Sequence, residues 1–488
     1  MASRWARFGM AALCSTLVGC GSDDEEGEAP DPYVGAPGVT IQQVAIYQSL
    51  KRTLMLAGAP QAGGVPLVAG RDAMVRIYYT TDGSYDGQPV TGRLHLPGQE
   101  PLETTAPLAA ASVEEDLATT VNVSVPGSRI GPTFDYRVSL AQNGSNRDDN
   151  PTAHYPGGGA TESVPVDGPA NKLRVIIAPF AYEADGSGRL PNTSPEQIEA
   201  IRQRFRALYP VSDVEISVRD PEPWTIPIDP GGSGGWTQLG IELLGYRSND
   251  GVGDDVYYYG MFNPADTLYA YCGMQCVLGM TLMNDNPPET GTVMLRLAIG
   301  VGFDAVAAST AVHELGHSHG LAHAPCGPGL APDSIDLDYP HADGVIGVWG
   351  YDPLLGQLLS PTVYTDMMSY CDVNWISDYH YVKLLARSGN VNLPSWQPPP
   401  EGAIEYQLIT LDGDGHGAFQ LVTERARPLA GTPLPVAAET TAGTQATVNG
   451  RYFPYDHLPG GWLFVPTGGE QLDRVELRLD GTTVVAHR

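Results

Sequence analysis

The sequence predicts a multidomain chain. A central α/β (α+β) domain, with a mixed sheet and one motif-bearing helix, is flanked by β-sandwich-like N- and C-terminal domains. Three observations predict this. The chain has 488 residues, enough for several domains that each bury a core. Residues 39–166 and 403–488 carry short alternating apolar runs between turn residues, the pattern of half-buried strands. Between them strands and amphipathic helices alternate, which implies a sheet with helices packed on it. The charge balance excludes two classes of partner. At a net charge of −29, with Lys51, Lys172 and Lys383 as its three lysines, the chain can neither neutralise a nucleic acid backbone nor form a polybasic membrane patch.

At the amino terminus, Arg4 and Arg7 flank the start of an apolar run over residues 8–18, too short to span a bilayer. The run ends in Leu17-Val18-Gly19-Cys20, which resembles the lipobox of bacterial lipoproteins. The resemblance implies a signal peptide over residues 1–19, lipidation of Cys20, and export to the cell envelope. The protein would be held at the outer membrane or cell surface by lipid alone. An ordinary secretory signal with a chance cysteine is the alternative. Residues 20–38 are acidic and Gly/Pro-bearing, too polar to bury a core, and read as a flexible tether.

Residues 39–169 form the first β domain, with strands such as 73–79 and 120–125. In the central domain, residues 170–394, 173–178 reads as a buried strand. A helix follows, with Ser194 as N-cap, Pro195 in first position, Gln197 completing a capping box, and Ile198, Ile201, Phe205 and Leu208 on one face. Further strands are expected at 214–218, 256–261, 277–282 and 293–299, with helices at 236–244, 304–319 and 376–386. A Pro-rich linker at 395–402 leads to a β-rich domain over 403–488, where Asp412-Gly413-Asp414-Gly415 reads as a hairpin turn.

The chemistry lies in His313-Glu314-Leu315-Gly316-His317-Ser318-His319-Gly320-Leu321-Ala322-His323. His313 and His317 are four apart, so on a helix both imidazoles leave one face and can share a metal. Glu314 stands beside them, placed to take a proton from a coordinated water. Gly320 sits where the helix must stop and reverse, since glycine adopts positive φ at little cost. The reversal returns His323 as a third ligand. Three neutral imidazoles leave a tetrahedral position open, the arrangement of a catalytic zinc. His319, two residues past His317, faces away from the metal.

The motif HExxHxxGxxH resembles the metzincin clan of zinc peptidases. Asp366-Met367-Met368-Ser369-Tyr370 matches the clan's Met-turn, which implies Met368 beneath the metal and Tyr370 as an additional ligand or oxyanion donor. The resemblance also implies that 293–299 is the strand that pairs with substrate backbone. It sets His323 and Met368 around one metal. Cys326 and Cys371 each lie three residues further on, so disulfides Cys326–Cys371 and Cys272–Cys276 are implied, with a four-cysteine zinc ribbon as the alternative. Asp333, Asp336, Asp338 and Asp343 form either a calcium site or a solvated acidic loop. The expected function is zinc metalloendopeptidase, cleaving extracellular protein or glycoprotein substrates. The alternative is a surface adhesin that binds through its β domains and uses the central fold as scaffold.

Overall fold

The computed structural model describes residues 33–144, 148–274, 276–283, 292–328, 330, 334–392, 403–425 and 428–488. The lipobox with Cys20, most of the acidic tether and the Pro-rich linker lie outside the described residues. The chain is a multidomain, mostly β protein with few helices. In the N-terminal region, one antiparallel sheet runs Ala59–Pro60, Lys51–Leu56, Val39–Tyr47, Ala73–Thr81, Val121–Val125. A second is built around Thr133–Asn143, which pairs with Tyr33–Gly35 and Val90–His95. Both sheets supply one core: Val44, Val75 and Ile77 meet Leu94, Tyr136 and Leu140.

The central sheet has the order Asp213–Val218, Lys172–Tyr182, Val256–Phe262, Leu297–Val301, Gly279–Thr281. The first four strands are parallel and the last is an antiparallel edge. Strand Lys172–Tyr182 shows why both faces are covered. Leu173, Val175 and Ile177 enter one core with helices Pro195–Leu208, Ala307–Ser318 and Asp378–Val391, whereas Ala178, Phe180 and Tyr182 enter another with helix Trp236–Asn249. The capping box is half made. Ser194 Oγ accepts from Gln197 N–H at 3.3 Å, but Ser194 N–H donates to Asn192 Oδ1 at 2.9 Å, leaving Gln197 no return bond to make.

The segment 293–299 departs from its expected role. It opens as the 3-10 turn Val293–Leu295, and the strand it leads into, Leu297–Val301, is interior, hydrogen-bonded on both sides. The antiparallel edge strand is Gly279–Thr281, whose short apolar run carries too little periodicity to rank the two strands.

The C-terminal region is not a sandwich but a closed barrel, in the order Ile404–Leu411, His416–Arg425, Thr482–His487, Leu472–Leu479, Thr432–Thr440, Gln445–Pro454, Gly461–Pro466. Closure comes from Ile404–Leu411 pairing with both His416–Arg425 and Gly461–Pro466. Sandwich and barrel share the same in-out alternation, so pattern alone does not separate them. The barrel is not independent of the central sheet. Tyr406, Leu408, Phe453, Trp462 and Phe464 are buried in the core that also holds Phe180, Trp236 and Ile299. At about 1.5–3 kcal/mol for each large apolar side chain buried, this docking outweighs the loss of any one polar contact across the boundary.

On the other side, buried Arg71 of the N-terminal region donates to the Tyr209 and Val211 carbonyls at 2.6 and 2.9 Å. Trp375 Nε1 donates to Ser49 O at 3.1 Å. The N-terminal sheets thus brace the helices beneath the motif.

Among the described residues, disulfides join Cys272 to Cys276 and Cys326 to Cys371. The second closes a sequence separation of 45, so opening it is expected to cost about 2–4 kcal/mol by releasing that loop in the unfolded chain. Thermal unfolding of Cys371→Ala against the oxidised wild type checks this; an unchanged Tm would contradict it.

Candidate metal centre

Helix Ala307–Ser318 carries His313, Glu314 and His317, and it ends as the sequence requires. His319 is its C-cap and Gly320 has φ of 89°. Gly320 N–H donates to His317 O at 2.8 Å and Leu321 N–H to Gly316 O at 3.1 Å, the paired bonds of a Schellman stop. The reversed chain is then pinned. His323 N–H donates to Ser334 O at 3.0 Å, and Ala324 N–H to Met368 O at 3.0 Å. His323 therefore returns beside the helix.

The three imidazoles converge. His317 Nε2 lies 3.2 Å from Nε2 of both His313 and His323. His313 Nδ1 faces Met367 O at 2.8 Å and His317 Nδ1 faces Leu321 O at 2.7 Å. A carbonyl only accepts, so each of these Nδ1 atoms carries the proton and each Nε2 presents a lone pair. Burial pushes the His313, His317 and His323 pKa values down, His317 to about 4, which keeps the rings neutral. Lone pairs facing one another at this spacing repel unless a cation lies between them. Nitrogens bound to one tetrahedral ion at about 2.1 Å stand roughly 3.4 Å apart, so the donor set fits a metal. The Nδ1 bonds to Met367 O and Leu321 O, with Ser334 Oγ 3.1 Å from His323 Nδ1, are the outer contacts that orient such ligands.

Glu314 is 2% exposed, and its Oε2 has no hydrogen-bond partner among the described residues. Space for its carboxylate depends on Gly279 of the edge strand, where a Cβ would fall within 2.5 Å of Glu314 side-chain atoms. Burial and the neighbouring Asp456 carboxylate push the Glu314 pKa upward, against the pull of His457. Met368 is wholly buried, its sulfur packed where a Cβ on Gly316 would lie. Tyr370 N–H donates to Cys326 O at 2.8 Å, so the disulfide and the turn hold each other. The Tyr370 ring centroid is 5.0 Å from that of His323. Tyr370 is 38% exposed, and partial desolvation raises the pKa of its phenol. His319 stacks on Tyr257 with centroids 4.2 Å apart, and its Nδ1 faces Leu315 O at 2.7 Å. It is a core residue, pointed away from the centre.

Two residues of the site escape sequence reasoning. Asp456 and His457 come from the barrel, in the turn between Gln445–Pro454 and Gly461–Pro466. His457 Nε2 is 3.1 Å from Glu314 Oε1 and 2.9 Å from Asp456 Oδ2, and its Nδ1 bonds the Tyr370 hydroxyl. With His313, His317 and His323, His457 completes a group whose ligating atoms all lie within 4.8 Å of one another. The available signal was a histidine amid turn residues, Pro454-Tyr455-Asp456-His457-Leu458-Pro459-Gly460, which no motif singles out.

The acidic run after the motif is engaged otherwise. Asp333 lies outside the described residues. Asp336 accepts from Lys383 Nζ at 2.5 Å and from the Tyr379 hydroxyl at 3.1 Å, and no metal-holding group forms with Asp338 or Asp343 among the described residues.

No curated protein matches the chain. A solved chain titled "Structure of a chaperone-substrate complex" aligns at 12% identity and a TM-score of 0.21, covering 56% of this chain and 40% of its own length. The present chain therefore spans about two fifths of that molecule. Residues 297–381 match the family model for peptidase M66, a stretch that holds all three histidines, Glu314, Met368 and Tyr370, and the match supports a metallopeptidase family for this chain.

Proposed function

We propose that the protein is a zinc-dependent metalloendopeptidase of metzincin type that hydrolyses peptide bonds of extracellular proteins or glycoproteins. One observation carries this reading: three neutral imidazole Nε2 atoms converge within 3.2 Å contacts on the helix face that also bears a buried glutamate. His313, His317 and His323 would hold zinc. When bound, zinc supplies Lewis acidity toward water and a carbonyl oxygen. Glu314 takes the proton of the attacking water and returns it to the leaving amine; its raised pKa suits both transfers. Tyr370, whose phenol is protonated at neutral pH, donates to the developing oxyanion. Met368, whose sulfur packs against Gly316 of the same helix, would support the histidines from beneath. An exported lipoprotein carrying this centre, with Cys20 as its anchor, also accords with the two disulfides, which persist outside the reducing cytosol.

Elemental analysis of the purified chain tests the reading. One zinc per chain is expected, lost in His317→Ala, together with peptide cleavage that a chelator abolishes and added zinc restores. A chain with no metal, or cleavage indifferent to the chelator, would overturn it.

A further inference from the structure

Beyond the triad, the barrel itself enters the centre. Residues 454–457 leave strand Gln445–Pro454 and lie along the extension of the edge strand Gly279–Thr281. Leu282 and Tyr455 form an antiparallel bridge. Met283 N–H donates to Pro454 O at 3.0 Å and Asp456 N–H to Thr281 O at 3.3 Å. Thr281 N–H donates to Asp456 Oδ1 at 2.9 Å. The free edge of the sheet is thus taken by a segment of the same chain, in the way an extended peptide adds to a sheet. At the end of that segment stands His457. Its ring centroid lies 5.4, 5.5 and 5.1 Å from those of His313, His317 and His323. Its two nitrogens engage Glu314 and Tyr370, the groups assigned to proton transfer and oxyanion stabilisation. The Asp456 side chain is wholly buried and Glu314 is 2% exposed, which leaves the general base almost no contact with solvent.

We infer that residues 454–457 are an internal strap that occupies the substrate's place, with His457 capping the metal centre and keeping the peptidase latent. The inference rests on the metallopeptidase reading and adds its regulation. Opening requires movement of the turn, not departure of the barrel, because Phe453, Trp462 and Phe464 on either side of it are buried in the shared core. The far end of the turn is Pro459-Gly460-Gly461, where Gly460 has φ of 96°, a left-handed conformation that glycine adopts at little cost.

The test uses the full chain and three readouts. In His457→Ala, zinc content should stay at the wild-type level while cleavage of a fluorogenic peptide rises at least tenfold. Acetohydroxamate, a small ligand for an accessible metal, should bind the cobalt-substituted variant at least tenfold more tightly than the cobalt-substituted wild type, read by visible absorption. In the wild type, without any substitution, saturating acetohydroxamate should accelerate hydrogen exchange of the Met283 and Asp456 amides. Turnover that falls with zinc retained would make His457 a catalytic group and overturn the strap. So would unchanged hydroxamate affinity, or exchange at Met283 and Asp456 that the ligand leaves unaltered. In each of those cases the peptidase reading survives; a chain without metal overturns both.

Discussion

Glu314→Gln is expected to retain zinc and lose about 10²–10⁴-fold in turnover, the usual contribution of a positioned general base. The substitution keeps volume and hydrogen-bonding capacity at a site that is 2% exposed, so the loss reports proton transfer and not collapse of the helix. His313 and His317 keep their outer bonds to Met367 O and Leu321 O, which do not involve Glu314. The comparison is best made both in the wild type and in a His457→Ala background, so that the strap does not mask the difference. Metal content measured alongside separates a missing base from a missing ion. A Glu314→Gln protein that cleaved peptide like its parent would remove Glu314 from the mechanism.

Asp366→Ala is expected to be the most destabilising single substitution around the site. Asp366 is wholly buried. Its Oδ1 accepts from Met368 N–H at 2.7 Å and from His380 Nδ1 at 2.8 Å, and its Oδ2 accepts from Ser377 N–H at 2.8 Å. Removing it orphans two backbone donors and a buried imidazolium together, a loss of about 3–5 kcal/mol. That corresponds to a fall in Tm of roughly 6–20 °C for a domain of this size. The pH dependence follows from the two shifts. Burial works against the Asp366 charge, but His380 and the surrounding donors hold its pKa below the ordinary 3.8. Its contribution is therefore present above about pH 4 and lost as pH falls through the lowered folded value. Burial likewise opposes charge on His380, but Asp366 and Asp336 raise its pKa above 6.5. That contribution is complete below 6.5 and lost as pH rises through the folded value. The Tm gap between wild type and Asp366→Ala should be widest between pH about 4 and 6.5 and narrow above. A gap that widened toward pH 8 would contradict the assigned pairing.

Much of the centre was legible because it is local. His313, Glu314 and His317 are fixed relative to one another by helical periodicity, and Gly320 announces the reversal that returns His323. Each of these is a statement about residues at most ten apart, where backbone geometry leaves few alternatives. Met368 and Tyr370 were reached through family resemblance, since nothing in the 44 residues between His323 and Met368 states where that turn will lie. The pairing of Cys326 with Cys371 follows once that turn is placed. Segment 293–299 shows the limit of local reading. A short apolar run states that a strand is buried, not which neighbours it takes, and the edge proved to be Gly279–Thr281.

The sequence by itself determined the helix that carries His313, Glu314 and His317, its stop and the return of His323, because side-chain direction and chain reversal depend on the nearest few residues. Tertiary structure decided that the last β region closes into a barrel, since closure depends on residues 50 to 60 apart in the chain finding each other. It also decided that the barrel docks on the central sheet and delivers Asp456 and His457 into the centre. Those two residues carry no periodicity and no motif. Their position is the sum of a strand register, a barrel closure and a shared apolar core, each settled by long-range contacts that the one-dimensional pattern does not contain.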